Sequence, residues 1–61
     1  MLTHQEVKIL HHCQEIEIDN HDIATIISFF RKKTKQQKNK FIEEITRMND
    51  LMEVLHLLAK V

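Results

Sequence analysis

Five histidines and one cysteine are the residue types in this chain best suited to hold a metal or attack a substrate. They are His4, His11, His12, His21, His56 and Cys13, three of them consecutive as HHC. A metal bound on one helix wants ligands three or four positions apart. His4 and His11 are seven apart, about 10 Å along a helix, which is too far to share an ion. His11, His12 and Cys13 are adjacent and point in different directions. Neither CxxC nor HxxxH occurs, so no metal and no cofactor is expected. Cys13 as a nucleophile would need an activating base and an electropositive pocket. It stands at an apolar phase of its helix and reads as a small buried residue. Glu43 and Glu44 are neighbours that diverge on a helix, so they make no acid–base pair. A short helical chain also has little room for a concave pocket, and the expectation is a protein that is not an enzyme.

The other chemistry-bearing stretch is RKKTKQQKNK, Arg31 to Lys40, with six cations, no acid and no apolar residue. Its candidates for phosphate contact are Arg31, Lys32, Lys33, Lys35, Lys38 and Lys40. Nucleic-acid binding by such a run is best served by interleaved aromatics for stacking or by a recognition helix. No aromatic is interleaved here, and no glycine-containing helix-turn-helix corner is spelled. The stretch reads first as a solvated cationic helix end and connection. Contact with an acidic protein patch, or with nucleic acid, is the alternative.

The elements that carry these residues are helices. The chain has 61 residues, no Gly and no Pro, and those two residues punctuate hairpins and tight turns. A lone domain of this size buries only about 60 % of its unfolded surface. One cysteine permits no internal disulfide, which suits a reducing cytoplasm and makes self-association the natural stabiliser. No signal peptide and no membrane-spanning run are expected. The net charge is zero but unevenly spread: −4 over residues 1–22, +6 over 23–40 and −2 over 41–61. Acidic at both ends and basic in the middle, the chain has no general attraction for polyanions.

Two helix starts share one spelling. In LTHQEV, Thr3 is the N-cap, Glu6 completes a capping box, and Leu2 and Val7 form a hydrophobic staple. In IDNHDI, Asp19 caps, Asp22 takes the box position and Ile18 and Ile23 staple. Thr34 with Gln37 spells a third box, without a staple. Helices are expected at about 4–16, 20–33 and 37–60, with a break or bend between Lys32 and Gln37. Val7, Ile9, Leu10, Cys13 and Ile16 make the apolar side of the first. Ile23, Ile26, Ile27 and Phe30 stripe the second, widened by Phe29. In the third, Phe41, Ile45, Met48, Met52, Leu55 and Ala59 are spaced 4, 3, 4, 3, 4, the rhythm of a packed helical seam. Ile42, Leu51, Val54, Leu57 and Leu58 widen it.

The run EVKILHHCQEIEIDNHDIATIISFFRKK resembles the SinI-type antirepressor motif, a helical hairpin also found in the oligomerisation region of SinR-type repressors. The matching positions are Val7, Ile9, Leu10, Cys13, Ile18, Asp19, Asp22, Ile23, Ile26 and Ile27, followed by basic residues, without gaps over about 28 residues. The family often has Gly or Asn where this chain has Glu17, and Trp where it has Gln5 or Glu6. The seam after Phe41 has no counterpart in the short antirepressors. The resemblance implies dimerisation through a helical hairpin and sequestration of a transcription factor.

The fold expected is therefore all-α: one small domain, a short helical hairpin followed by a longer amphipathic third helix, completed by self-association as a dimer or higher oligomer. Val7, Leu10, Ile23, Ile26, Ile27, Phe30, Phe41, Ile45, Met48, Met52 and Leu55 are the expected dimer or partner interface. The function expected is a non-catalytic, cytoplasmic, bacterial-type regulator that binds another helical protein such as a transcription factor. The alternative is a small dimeric nucleic-acid-binding protein using residues 31–40.

Overall fold

Four stretches of this sequence carry both an N-cap and an apolar side, and each becomes a helix. The computed structural model describes residues 1–61 as α1 (His4–Glu15), α2 (Asn20–Arg31), α3 (Lys35–Ile45) and α4 (Leu51–Lys60), with no strand. The Thr3 hydroxyl accepts from the Glu6 N–H while the Glu6 carboxylate accepts from the Thr3 N–H, closing the box at α1. Thr34 and Gln37 do the same at α3. At α2 only the Asp19 half forms, at 3.0 Å from the Asp22 N–H, because Asp22 is one methylene shorter than the Glu or Gln the box wants.

The turn after α1 is a Schellman motif. The Ile18 N–H reaches the Cys13 carbonyl and the Glu17 N–H reaches the Gln14 carbonyl. The motif needs a left-handed residue between them, and Glu17 supplies it at φ 63°. A side chain there costs about 1 kcal/mol relative to glycine. Ile18 is carried into the core by this turn.

The third helix expected over 37–60 is instead two helices. α3 stops at Ile45, where the Arg47 and Met48 amides drop to three-residue bonds onto Glu44 and Ile45. Asp50 then opens α4, its carboxylate accepting the Glu53 N–H at 2.9 Å while the Glu53 carboxylate accepts the Asn49 N–H at 3.3 Å. Asn and Asp compete with helical backbone bonds in a helix interior but satisfy them at a cap. Breaking here also lets α4 fold back onto α3. Val54, Leu57 and Leu58 then join Ile9, Cys13, Ile18, Ile23, Ile26, Ile27, Phe30, Phe41 and Ile45 in one buried cluster.

α1 packs on α2 and α3, and α4 packs on the same two helices, so the four close a ring in the order α1, α2, α4, α3. Phe30 and Phe41 meet inside the ring with centroids 5.6 Å apart, tilted by 49°, a favoured aromatic arrangement. The radius of gyration is 10.2 Å, against about 10.5 Å for a compact chain of this length. The core thus closes within one chain. No helix is long and apolar enough to cross a membrane.

Candidate interaction surface

Side chains on the outside of α1 and α3 are polar at every exposed position, from His4, Lys8 and His11 to Gln36, Lys40 and Glu43. α4 differs. Its ten residues include only three polar ones, Glu53, His56 and Lys60. Val54, Leu57 and Leu58 face the core, while Met52 is 67 % exposed and Leu55 37 % exposed, with Ala59 beyond them. Glu53, His56 and Lys60 share one flank of α4, so the helix carries a second apolar side besides the one that faces the core, and that second side is left uncovered.

Leu55 and Ala59 line two adjoining open grooves. One runs with Met48, Met52 and His56, edged by Glu44, Glu53 and Lys60. The other runs towards α2, with Phe29 and Leu58 between Lys32 and Lys33. Phe29 is 49 % exposed, and the Lys32 ammonium lies 5.4 Å above its ring. The result is one continuous apolar strip with a mixed-charge rim. A smaller groove between α1 and α2 shows the edges of Leu2, Leu10, Ile23, Ala24 and Ile27.

The eleven expected interface residues divide by depth. Ile23, Ile26, Ile27, Phe30, Phe41 and Ile45 lie in the chain's own core. Val7, Leu10 and Met48 are half-buried, the last two packed against that core. Met52 and Leu55 face outward. Phe29 and Ala59 lie on the same surface. Their stripe membership was visible in the sequence, but which side of each stripe stays outside depends on how the ring closes.

The basic stretch is divided as well. Arg31 donates twice to the Glu6 carboxylate, at 2.9 and 3.2 Å, tying the end of α2 to the start of α1. Glu6 is only 4 % exposed. The Arg31 hydrogen bonds, aided by the Thr3 N–H and opposed by burial, hold its carboxyl below the usual carboxylate range. Lys38 is half-buried, its ammonium 5.7 Å over the Phe30 ring, and its charge also favours ionised Glu6. Lys33 donates to the Val61 carbonyl at 3.1 Å. Lys32 lies over Phe29, and Lys35 and Lys40 stand in solvent. Glu6 is legible in the sequence as a capping residue, but its partner 25 positions away is not.

The HHC triplet is scattered by the helix that carries it. His11 is exposed, Cys13 is buried in the core, and His12 Nε2 donates to the Met48 carbonyl at 2.8 Å, pinning α1 to the α3–α4 connection. Burial pushes the Cys13 thiol up to about 11, which leaves little of the reactive thiolate near neutrality. No three His, Cys, Asp or Glu residues come together as a metal site.

No protein-family model matches this chain, and no curated protein or solved structure matches it significantly.

Proposed function

We propose that this chain is a non-catalytic protein–protein interaction module, a small self-associating cytoplasmic regulator that takes a helix of another protein, such as a transcription factor, on its apolar strip. The observation that carries this reading is the uncovered side of α4, where Met52 and Leu55 stand open beside Phe29 on a domain whose core is already closed. Apolar area removed from water there is worth about 25 cal/mol per Å2, and helix-in-groove recognition uses such surfaces. The reading moves the partner contact from the helical hairpin to α4 and Phe29, since the hairpin's apolar stripe is largely occupied in the core.

The nucleic-acid alternative has less to draw on. Arg31 and Lys33 are hydrogen-bonded within the chain, and Lys32 and Lys38 lie over phenylalanine rings, which leaves Lys35 and Lys40 to track phosphates. Affinity capture with the wild type and Leu55→Asp side by side separates the two. A protein held by the wild type at 0.5 M salt and lost with Leu55→Asp supports the module. Retention of duplex DNA that collapses between about 50 and 200 mM salt, indifferent to Leu55→Asp, overturns it.

A further inference from the structure

The strip on α4 has a charge layout of its own. Glu53 lies at the N-terminal end of the helix, with Glu44 beside it on the rim, and Lys60 lies at the C-terminal end. Between them run Met52, Leu55 and Ala59, spaced three and four so that they share one side of the helix. One Glu53 oxygen accepts the Asn49 N–H, and the carboxylate has no cation partner within the chain. A surface that is apolar in the middle and opposite in sign at its two ends is complementary to itself when turned by 180°. That is the requirement for an isologous contact, in which the same patch serves both copies.

Resting on the reading of α4 as a docking side, we propose that in the self-associated form, before any other helix is bound there, its occupant is α4 of a second copy, antiparallel about a two-fold axis that passes between the two helices at the level of Leu55 and His56. This register sets Met52 of each copy against Ala59 of the other, a large side chain opposite a small one. It brings the two Leu55 side chains beside the axis and puts Glu53 of each copy on the same flank of the pair as Lys60 of the other, about 3 Å apart along the helix axis. The helix dipoles then oppose, each copy's negative end beside the other's positive end. A parallel pairing would instead put Glu53 against Glu53 and Lys60 against Lys60. Net charge favours the same partner, since a chain of zero net charge has no overall repulsion to overcome in meeting itself.

The contact is a small one. A standard interface buries about 800 Å2 on each partner, roughly a fifth of the 4394 Å2 this chain exposes. Met52 and Ala59 are two helical turns apart, about 10 Å, so α4 alone covers less than that. A contact below the standard size belongs to the transient class, so the dimer is a reversible one.

Sedimentation equilibrium from about 5 to 500 µM, run on the wild type, Glu53→Lys, Lys60→Glu, Leu55→Asp and an equimolar mixture of the two charge variants, tests this, with circular dichroism confirming that each variant remains helical. The wild type dimerises, each charge variant alone dimerises at least about tenfold more weakly, and the mixture recovers the wild-type constant because the mixed pair restores both contacts. Leu55→Asp is a monomer. A wild type that stays monomeric throughout overturns the proposal and leaves the strip to a different protein, so partner capture sensitive to Leu55→Asp would still stand. A dimer indifferent to both charge variants, or to Leu55→Asp, also overturns it, because the interface then lies elsewhere or in another orientation.

Discussion

Two residues show how single side chains in this chain answer to backbone and charge. Glu17 occupies the left-handed position of the α1–α2 turn at φ 63°, where a Cβ is strained and glycine is not. Glu17→Gly should raise stability by about 1 kcal/mol, less a few tenths for the extra freedom of the unfolded chain; a urea midpoint that falls instead would mean the Glu17 side chain contributes more than its strain costs. Glu6 makes a prediction in pH. Its carboxyl titrates lower when folded than the ordinary value of 4.5, chiefly because Arg31 donates to it. A group whose folded pKa is depressed contributes stability that is fully present above its unfolded value and is lost as pH falls through the folded one. Acid unfolding followed by circular dichroism should therefore show stability declining below about pH 4.5. Glu6→Gln should flatten that decline while lowering the plateau at neutral pH, and an unchanged acid slope would rule out this ion pair as a source of it.

At the level of the helix, what the sequence tells and what it hides have one physical origin. A cap is local chemistry, so Thr3, Asp19 and Thr34 announce α1, α2 and α3 from a few neighbouring residues. Periodicity is local too, but it survives interruption. Phe41, Ile45, Met48, Met52, Leu55 and Ala59 keep an unbroken 4, 3, 4, 3, 4 spacing through a five-residue connection between Ile45 and Leu51. The rhythm alone therefore describes one long helix as well as two short ones. The signal that separates them is Asn49-Asp50 followed by Glu53, a helix start written inside the seam. Which side of α4 turns inward is not local at all: it depends on α2 and α3 arriving from elsewhere in the chain, and the seam reading places Met52 and Leu55 inside where the ring places Val54, Leu57 and Leu58. Asp50→Ala removes the cap and should cost about 1 kcal/mol. It should also favour an extended α3–α4 that exchanges between chains, since weakening a hinge is a route to domain swapping. Sizing of Asp50→Ala after refolding at high concentration would reveal a slowly dissociating dimer, and a monomer with an unchanged urea midpoint would show that the break is held by packing alone.

Across the whole molecule, the distinction that matters is between apolar residues that close the chain and those left over. A chain of this length has a total stability of only about 3 to 9 kcal/mol, which single core residues can consume. Phe41 is fully buried and packs at a tilt against Phe30, so Phe41→Ala should cost about 3 to 5 kcal/mol and leave much of the population unfolded at 25 °C. Leu55 is also apolar and also on the seam, yet it lines the outer strip. Leu55→Asp should change the unfolding free energy measured in urea by less than about 1 kcal/mol while removing association. The pair of variants thus separates folding from binding: a seam serving as one shared core would lose both properties with either substitution. A closed single-chain core loses folding with Phe41→Ala and only association with Leu55→Asp. Equal destabilisation by the two, measured at a concentration well below that of any dimer, would mean that α4 packs on its own chain through the Met52–Leu55 side.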